Sequence, residues 1–213
     1  MHMKNKKLVL AILTYILIDV LSRLIYNFYI LNESVLKTYY LNEFSSSVAE
    51  EKLSHINDNM FLGLLLAELF VIVKFLLITL LLKTGSFLLG FKNVVFKKVL
   101  YIVVLSYCVF LIPGLLQITW FGLFVERYTV EDLSNFNWHT LLFWMNDLNY
   151  DFLKYPLSVI NLYELLFWFF LIYLLKRKLE ISSWNSIKLV FISYGLSLFI
   201  WIVFVVFMMV TIS

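Results

Sequence analysis

Five long apolar runs constrain this chain more than anything else in it: Leu8–Leu31, Met60–Leu82, Val99–Val125, Leu157–Leu175 and Ile187–Thr211. A helix needs about 20 mostly apolar residues to cross a bilayer, and each run is close to or above that length. A transmembrane barrel would instead show segments of about ten residues alternating in polarity, whereas these runs are continuous. Composition points the same way. Of 213 residues, 62% are hydrophobic and 15% charged, against roughly 45–50% and about 25% in soluble domains. A soluble fold cannot hide that much apolar surface, so a water-soluble globule, a disordered chain and a nucleic-acid-binding module are all excluded. Six glycines and two prolines are too few for a loop-rich or all-β architecture. The single cysteine, Cys108, excludes an internal disulfide framework and a cysteine-based zinc site. The expectation is an all-α polytopic membrane bundle of five transmembrane helices, one integral domain over residues 1–213.

Charge sets the expected orientation, because cytoplasmic connections carry the excess of Lys and Arg. The N-terminal tail (Lys4, Lys6, Lys7), the second connection (Lys83, Lys92, Lys97, Lys98) and the fourth (Lys176, Arg177, Lys178, Lys188) place eleven basic residues on one side, opposed only by Glu180. The other side has Lys37, Lys52, Arg127 and Lys154 against ten acids. This predicts a cytoplasmic N-terminus and an external C-terminus. The first run is too long for a signal peptide and is interrupted by Asp19 and Arg23, with no Ala-x-Ala site after it. It reads as an uncleaved helix.

Both external connections are predicted to carry short interfacial helices. Ser47-x-x-Glu50 has a capping-box pattern that predicts a short helix to about Ile56, and Thr129-x-x-Asp132 is a weaker version. Trp138, Leu141, Leu142, Trp144, Met145 and Leu148 then follow at near-helical spacing. Trp138, Phe143 and Trp144 are an external aromatic surface, for anchoring in the lipid interface or for docking a partner.

Ionisable residues inside the membrane cost about 2.5–3.5 kcal/mol each on insertion scales and are functional candidates by default. They are Asp19 and Arg23 in the first span, Glu68 and Lys74 in the second and Glu164 in the fourth. Asp19 and Arg23 are four apart, so they share a helix face. Arg23, Glu68, Gln117 and Glu164 all lie about 10–12 Å below the outer interface at 1.5 Å per residue, and Asn161 sits one turn above Glu164. The expected arrangement is an intramembrane polar cluster in which Arg23 pairs with Glu68 or Glu164, completed by Asp19 and Gln117. Three roles remain open for it: fixing helix register, lining a cavity that binds a solute, ion or lipid head group, and relaying protons. Lys74 is either an anchor to the inner head groups or has a partner yet to be found. Pro113 and Gly114 predict a kink or hinge midway along the third span.

Enzyme signatures are missing. The sequence has no G-x-S-x-G, no H-E-x-x-H and no glycine-rich nucleotide loop. Its histidines, His2, His55 and His139, fall outside every span. Glu50-Glu51 lies in a polar loop without the intramembrane histidines that paired-glutamate membrane proteases require. His139 with Glu131, Asp132, Asp147 and Asp151 is the one loop grouping with metal-binding residue types. A solvated acidic face is the simpler reading, and no metal site, cofactor or catalytic residue is expected.

The run Tyr155-Pro156-Leu157, followed by Asn161-Leu162-Tyr163-Glu164-Leu165-Leu166-Phe167-Trp168, resembles that of small bacterial five-span inner-membrane proteins distantly similar to the Yip1-type five-helix bundle. The resemblance covers under half the chain and implies the bundle fold, not a mechanism. The functional expectation is a non-enzymatic subunit or accessory factor of a membrane complex concerned with transport or secretion. Its partners would be the lipid bilayer and a protein partner or a second copy of itself. The alternatives are a small oligomeric transporter or channel using the polar cluster and, more remotely, a lipid-active enzyme.

Overall fold

The computed structural model describes residues 5–91, 94–145 and 151–212. Lys4 and Lys92 of the basic side, and Asp147 and Leu148 of the second long connection, lie outside them. Among the described residues every regular element is helical, and the only β-type pairing is an isolated antiparallel bridge between Thr140 and Asn161. Helix α1 (Asn5–Ile25) ends in a π-helical turn, Tyr26–Ile30. After it come α2 (Glu33–Glu43) and α3 (Ser46–Leu88). Helix α4 (Phe96–Tyr107) passes through a 3-10 turn, Cys108–Leu111, into α5 (Ile112–Leu123). The short helices α6 (Val130–Ser134), α7 (Leu141–Trp144) and α8 (Lys154–Val159) precede α9 (Leu162–Leu179). Helix α10 (Ser183–Val190) continues through a second π-helical turn, Phe191–Gly195, into α11 (Leu196–Ile212).

Among the described residues, four helical stretches are long and apolar enough to cross a membrane: Asn5–Ile30, Ser46–Leu88, Phe96–Leu123 and Ser183–Thr211. Their burial is inverted relative to a soluble protein. Asp19 and Glu68 are 7% and 9% exposed, while Leu17, Leu65 and Phe70 on the same helices are 59%, 64% and 68% exposed. Apolar side chains facing outward and charges held inside are what a lipid environment selects.

The chain divides into two compact units: Met1–Ile12, Val73–Phe110 and Asn137–Ser213 form the first, and Leu13–Ile72 with Leu111–Phe136 the second. In the first, α9 packs on α4 and on α10. Its buried residues, Tyr163, Phe167, Leu171 and Leu175, recur every four positions and make one apolar stripe. Val99, Ile102, Val103 and Val104 of α4 are likewise shut away from solvent. Rings join these helices, Phe167 lying 5.8 Å from Tyr107 and 5.3 Å from Tyr194 in edge-to-face pairs. In the second unit, α5 packs on the Tyr26–Ile30 turn, with Ile30, Phe121 and Leu133 as a small buried cluster.

Three expectations need correction. The stretch Leu157–Leu175 is not one helix: Ile160 and Asn161 are extended and separate α8 from α9. The cause is Asn161, whose side chain accepts the Glu164 backbone N–H at 2.8 Å and so starts a new helix. Backbone bonds Leu141 N–H to Ile160 O (3.0 Å) and Leu162 N–H to His139 O (2.9 Å) hold the break open. Next, the helix expected from Ser47 to about Ile56 is not a separate piece but the beginning of the 43-residue α3. A short helix does occur earlier, at α2, where the Asn32 side chain caps Val35 N–H at 3.1 Å. Lastly, among the described residues the near-helical spacing from Trp138 onward yields the single turn of α7, capped by Thr140, and Leu148 lies outside them. The Thr129–Asp132 capping box forms in full, with Thr129 N–H donating to Asp132 Oδ2 at 2.8 Å and Asp132 N–H to Thr129 Oγ1 at 3.3 Å.

Candidate functional site

The first unit holds a cavity of about 790 Å³, bordered by α3, α8, α9, the Phe191–Gly195 turn and α11. Leucine and isoleucine side chains with Phe110 and Trp201 make its apolar wall, and its polar lining comes from Lys74, Thr84, Tyr107, Tyr155, Glu164, Ser193, Tyr194 and Ser197. Glu164 is placed by the start of α9. The Asn161 cap fixes its backbone, and one turn on Trp168 Nε1 donates to its Oε1 at 2.7 Å. Tyr194 reaches the same oxygen from the π-helical turn, its hydroxyl donating at 2.9 Å. Both bonds fall on Oε1. Lys74 lines the same cavity and makes no hydrogen bond or ion pair with any described residue.

The π-helical turn supplies part of this geometry. Such turns are rare and cluster at functional sites, because one extra residue re-aims the side chains around it. Gly85 of α3 lets the turn approach closely: a Cβ there would sit 2.6 Å from Ser193 Cβ. Gly195 does the same for Trp168, whose ring would lie 2.8 Å from an added Cβ. Ser193 donates back to Leu189 O, and Ser197 to Ser193 O at 2.7 Å, closing the serine hydroxyls onto their own helix. At the other end of the cavity Trp201 Nε1 donates to the Tyr155 hydroxyl at 2.7 Å.

The second unit has its own polar group. Arg23 Nε lies 3.0 Å from Asp19 Oδ2 on the same helix face and 3.8 Å from Glu68 Oε1. The Asp19 contact is a hydrogen bond, while the Glu68 contact is an ion pair only, and both Glu68 oxygens are buried without a hydrogen bond among the described residues. The expected pairing of Arg23 with Glu68 is therefore present. Glu164 takes Trp168 and Tyr194 as partners, and Gln117 donates through Nε2 to Leu133 O at 2.8 Å. Asn161 serves as the helix cap of α9.

Pro113 falls in the first turn of α5, directly after the 3-10 turn, where its missing N–H breaks the regular ladder. A Cβ on Gly114 would meet nothing within 4 Å, so no close neighbour requires glycine there. Trp138, Phe143 and Trp144 are 38%, 36% and 73% exposed, and Trp144 Nε1 donates to Trp138 O at 2.9 Å. Of the loop grouping with metal-binding residue types, His139 packs its ring on Tyr163 at 4.9 Å, and burial pushes its pKa below the ordinary imidazole value. Asp151 engages Lys154 at 2.6 Å, which holds its carboxyl below the usual range. Among the described residues no three His, Cys, Asp or Glu side chains come together as a metal site.

Sequence reasoning found Glu164 and Lys74 as charges inside apolar runs, and it did not find Tyr194, Trp168 or Tyr155 as their companions. A tyrosine or tryptophan in a chain that is 19% aromatic carries no signal of its own. The usable clue was the Glu164–Trp168 spacing of four, which puts a carboxylate and an indole N–H on one helix face.

The fold and burial define the class: an all-helical protein with helices suited to a membrane. Comparison with family models, with curated proteins and with solved structures gives no match.

Proposed function

We propose that this chain is a non-enzymatic multi-pass protein of a bacterial inner membrane that binds an amphipathic ligand in the cavity of its first unit, as a subunit or accessory factor of a membrane complex. The observation that carries this reading is the cavity itself: apolar walls with a carboxylate and an ammonium among them. Ligand pockets combine apolar walls with a few convergent polar groups in this way. A space of about 790 Å³ is within the range that holds molecules of drug or lipid-head size.

The proposed topology has five spans with the N-terminus inside, α9 being the fifth. Its apolar part, Leu162–Leu175, is about 21 Å long as a helix, short of the roughly 30 Å hydrocarbon core. Lys176, Arg177 and Lys178 in its last turn supply the remainder by extending their stems to the head groups. Eleven basic residues on one side against four on the other support the orientation. Cysteine accessibility in a Cys108→Ser background tests it: Glu51→Cys is expected to react with an impermeant maleimide from outside, and Asn185→Cys only after permeabilisation. The reverse pattern would refute the orientation.

The binding reading is tested by purifying the chain in mild detergent and extracting what stays with it. A stoichiometric amphiphile is expected in the wild type, and a marked reduction in the double variant Leu77→Trp, Leu81→Trp, which narrows the cavity. A chain that retains nothing, or retains equal amounts in both forms, contradicts it.

A further inference from the structure

We infer that the cavity takes a lipid with a zwitterionic phosphate–ammonium head group whose ammonium still carries N–H bonds, as in phosphatidylethanolamine. This inference rests on the amphiphile-binding role proposed above and specifies the ligand for it. Two complementary charges face one cavity without meeting. Lys74 and Glu164 both line it, close enough for the Lys74 charge to act on the carboxylate, yet they form no ion pair. Glu164 Oε1 is saturated by Trp168 and Tyr194, which leaves its second oxygen, Oε2, for a ligand. An isolated charge among leucines is costly, and the cavity holds one of each sign. A phosphate placed on Lys74 with its own ammonium on Glu164 Oε2 matches both at once, through charge-assisted hydrogen bonds. The hydrocarbon chains then lie along the Leu77 and Leu81 wall.

Each simpler head group leaves one charge unsatisfied. A purely anionic lipid matches Lys74 but sets a second negative charge near Glu164. A neutral lipid matches neither residue. A trimethylammonium head group brings the right charge to Glu164 but no N–H to donate. The hydroxyls of Ser193 and Ser197 do not replace the ammonium, because both already donate to backbone carbonyls.

The test uses the full-length chain, delipidated in detergent and exposed to equal mixtures of phosphatidylethanolamine, phosphatidylcholine and phosphatidylglycerol. Bound lipid is counted by native mass spectrometry. Phosphatidylethanolamine is expected to be retained over each of the others by roughly tenfold, the worth of about 1.4 kcal/mol. Lys74→Gln removes a side chain that makes no hydrogen bond or ion pair among the described residues, so folding is expected to survive while retention falls by a similar factor. Glu164→Gln keeps an oxygen for Trp168 and Tyr194 and is expected to abolish the preference over phosphatidylcholine. Equal retention of phosphatidylglycerol, or retention indifferent to both substitutions, overturns the head-group assignment and leaves amphiphile binding standing. Failure of the wild type to retain any of the three overturns both.

Discussion

Gly195 shows how much of the site depends on a single missing methyl group. Trp168 packs where a Cβ would be, 2.8 Å away, and the same indole donates to Glu164. Gly195→Ala therefore has to displace the ring that orients the carboxylate. The expected cost is about 1–3 kcal/mol of stability, with a shift in tryptophan emission as the indole loses its acceptor. Unchanged emission and melting would show that Trp168 does not hold Glu164. At this scale the sequence was informative about charge and silent about its partners. Asp19, Arg23, Glu68 and Glu164 stand out because each is expensive in an apolar run, and the Asp19–Arg23 contact follows from helical spacing alone. Which acid Arg23 meets on another helix depends on rotation about the helix axes, which one sequence does not encode. Depth was not enough to decide it: Glu68 is Arg23's partner, while Glu164 is bonded to two aromatic donors.

Helix ends were partly legible, and they failed where tertiary context competed with local signals. Thr129 and Asp132 form their reciprocal cap because the chain on both sides is irregular and leaves those donors free. Ser47 and Glu50 carry the same signature, but the helix already runs from Ser46 and continues to Leu88. The polar stretch Asn57-Asp58-Asn59 looks like a loop and instead remains helical. Asn59 Nδ2 donates to His55 O at 2.8 Å, turning a residue that favours turns back onto its own helix. Propagating an established helix costs far less than starting a new one. Asn161 is the opposite case, a cap inside what reads as one apolar run. Asn161→Ala is expected to cost about 0.5–2 kcal/mol, the usual range for losing an N-cap. Because this cap also positions Glu164, lipid retention should weaken along with thermal stability. A variant that melts lower yet binds normally would separate the cap from the site.

For the whole molecule, the sorting of charge is the property that composition alone conceals. Polar groups gather in a few internal places, and apolar side chains cover the helices outside, as shown by exposed Leu13, Phe61 and Phe207 at 59%, 68% and 62%. The helical class and the membrane setting were legible for that reason, since both depend on run length and hydropathy. The cavity was not, because it exists only where α3, α9 and α11 meet the Phe191–Gly195 turn, and Gly85 and Gly195 show their purpose only against Ser193 and Trp168. The central claim is that this space holds a lipid bridging Lys74 and Glu164. A density map of the chain reconstituted in a bilayer containing phosphatidylethanolamine tests it most directly. The expected result is continuous elongated density joining Lys74 Nζ to Glu164 Oε2 and running along the Leu77–Leu81 wall. A closed cavity, or Lys74 in direct contact with Glu164 and no density between them, would contradict it.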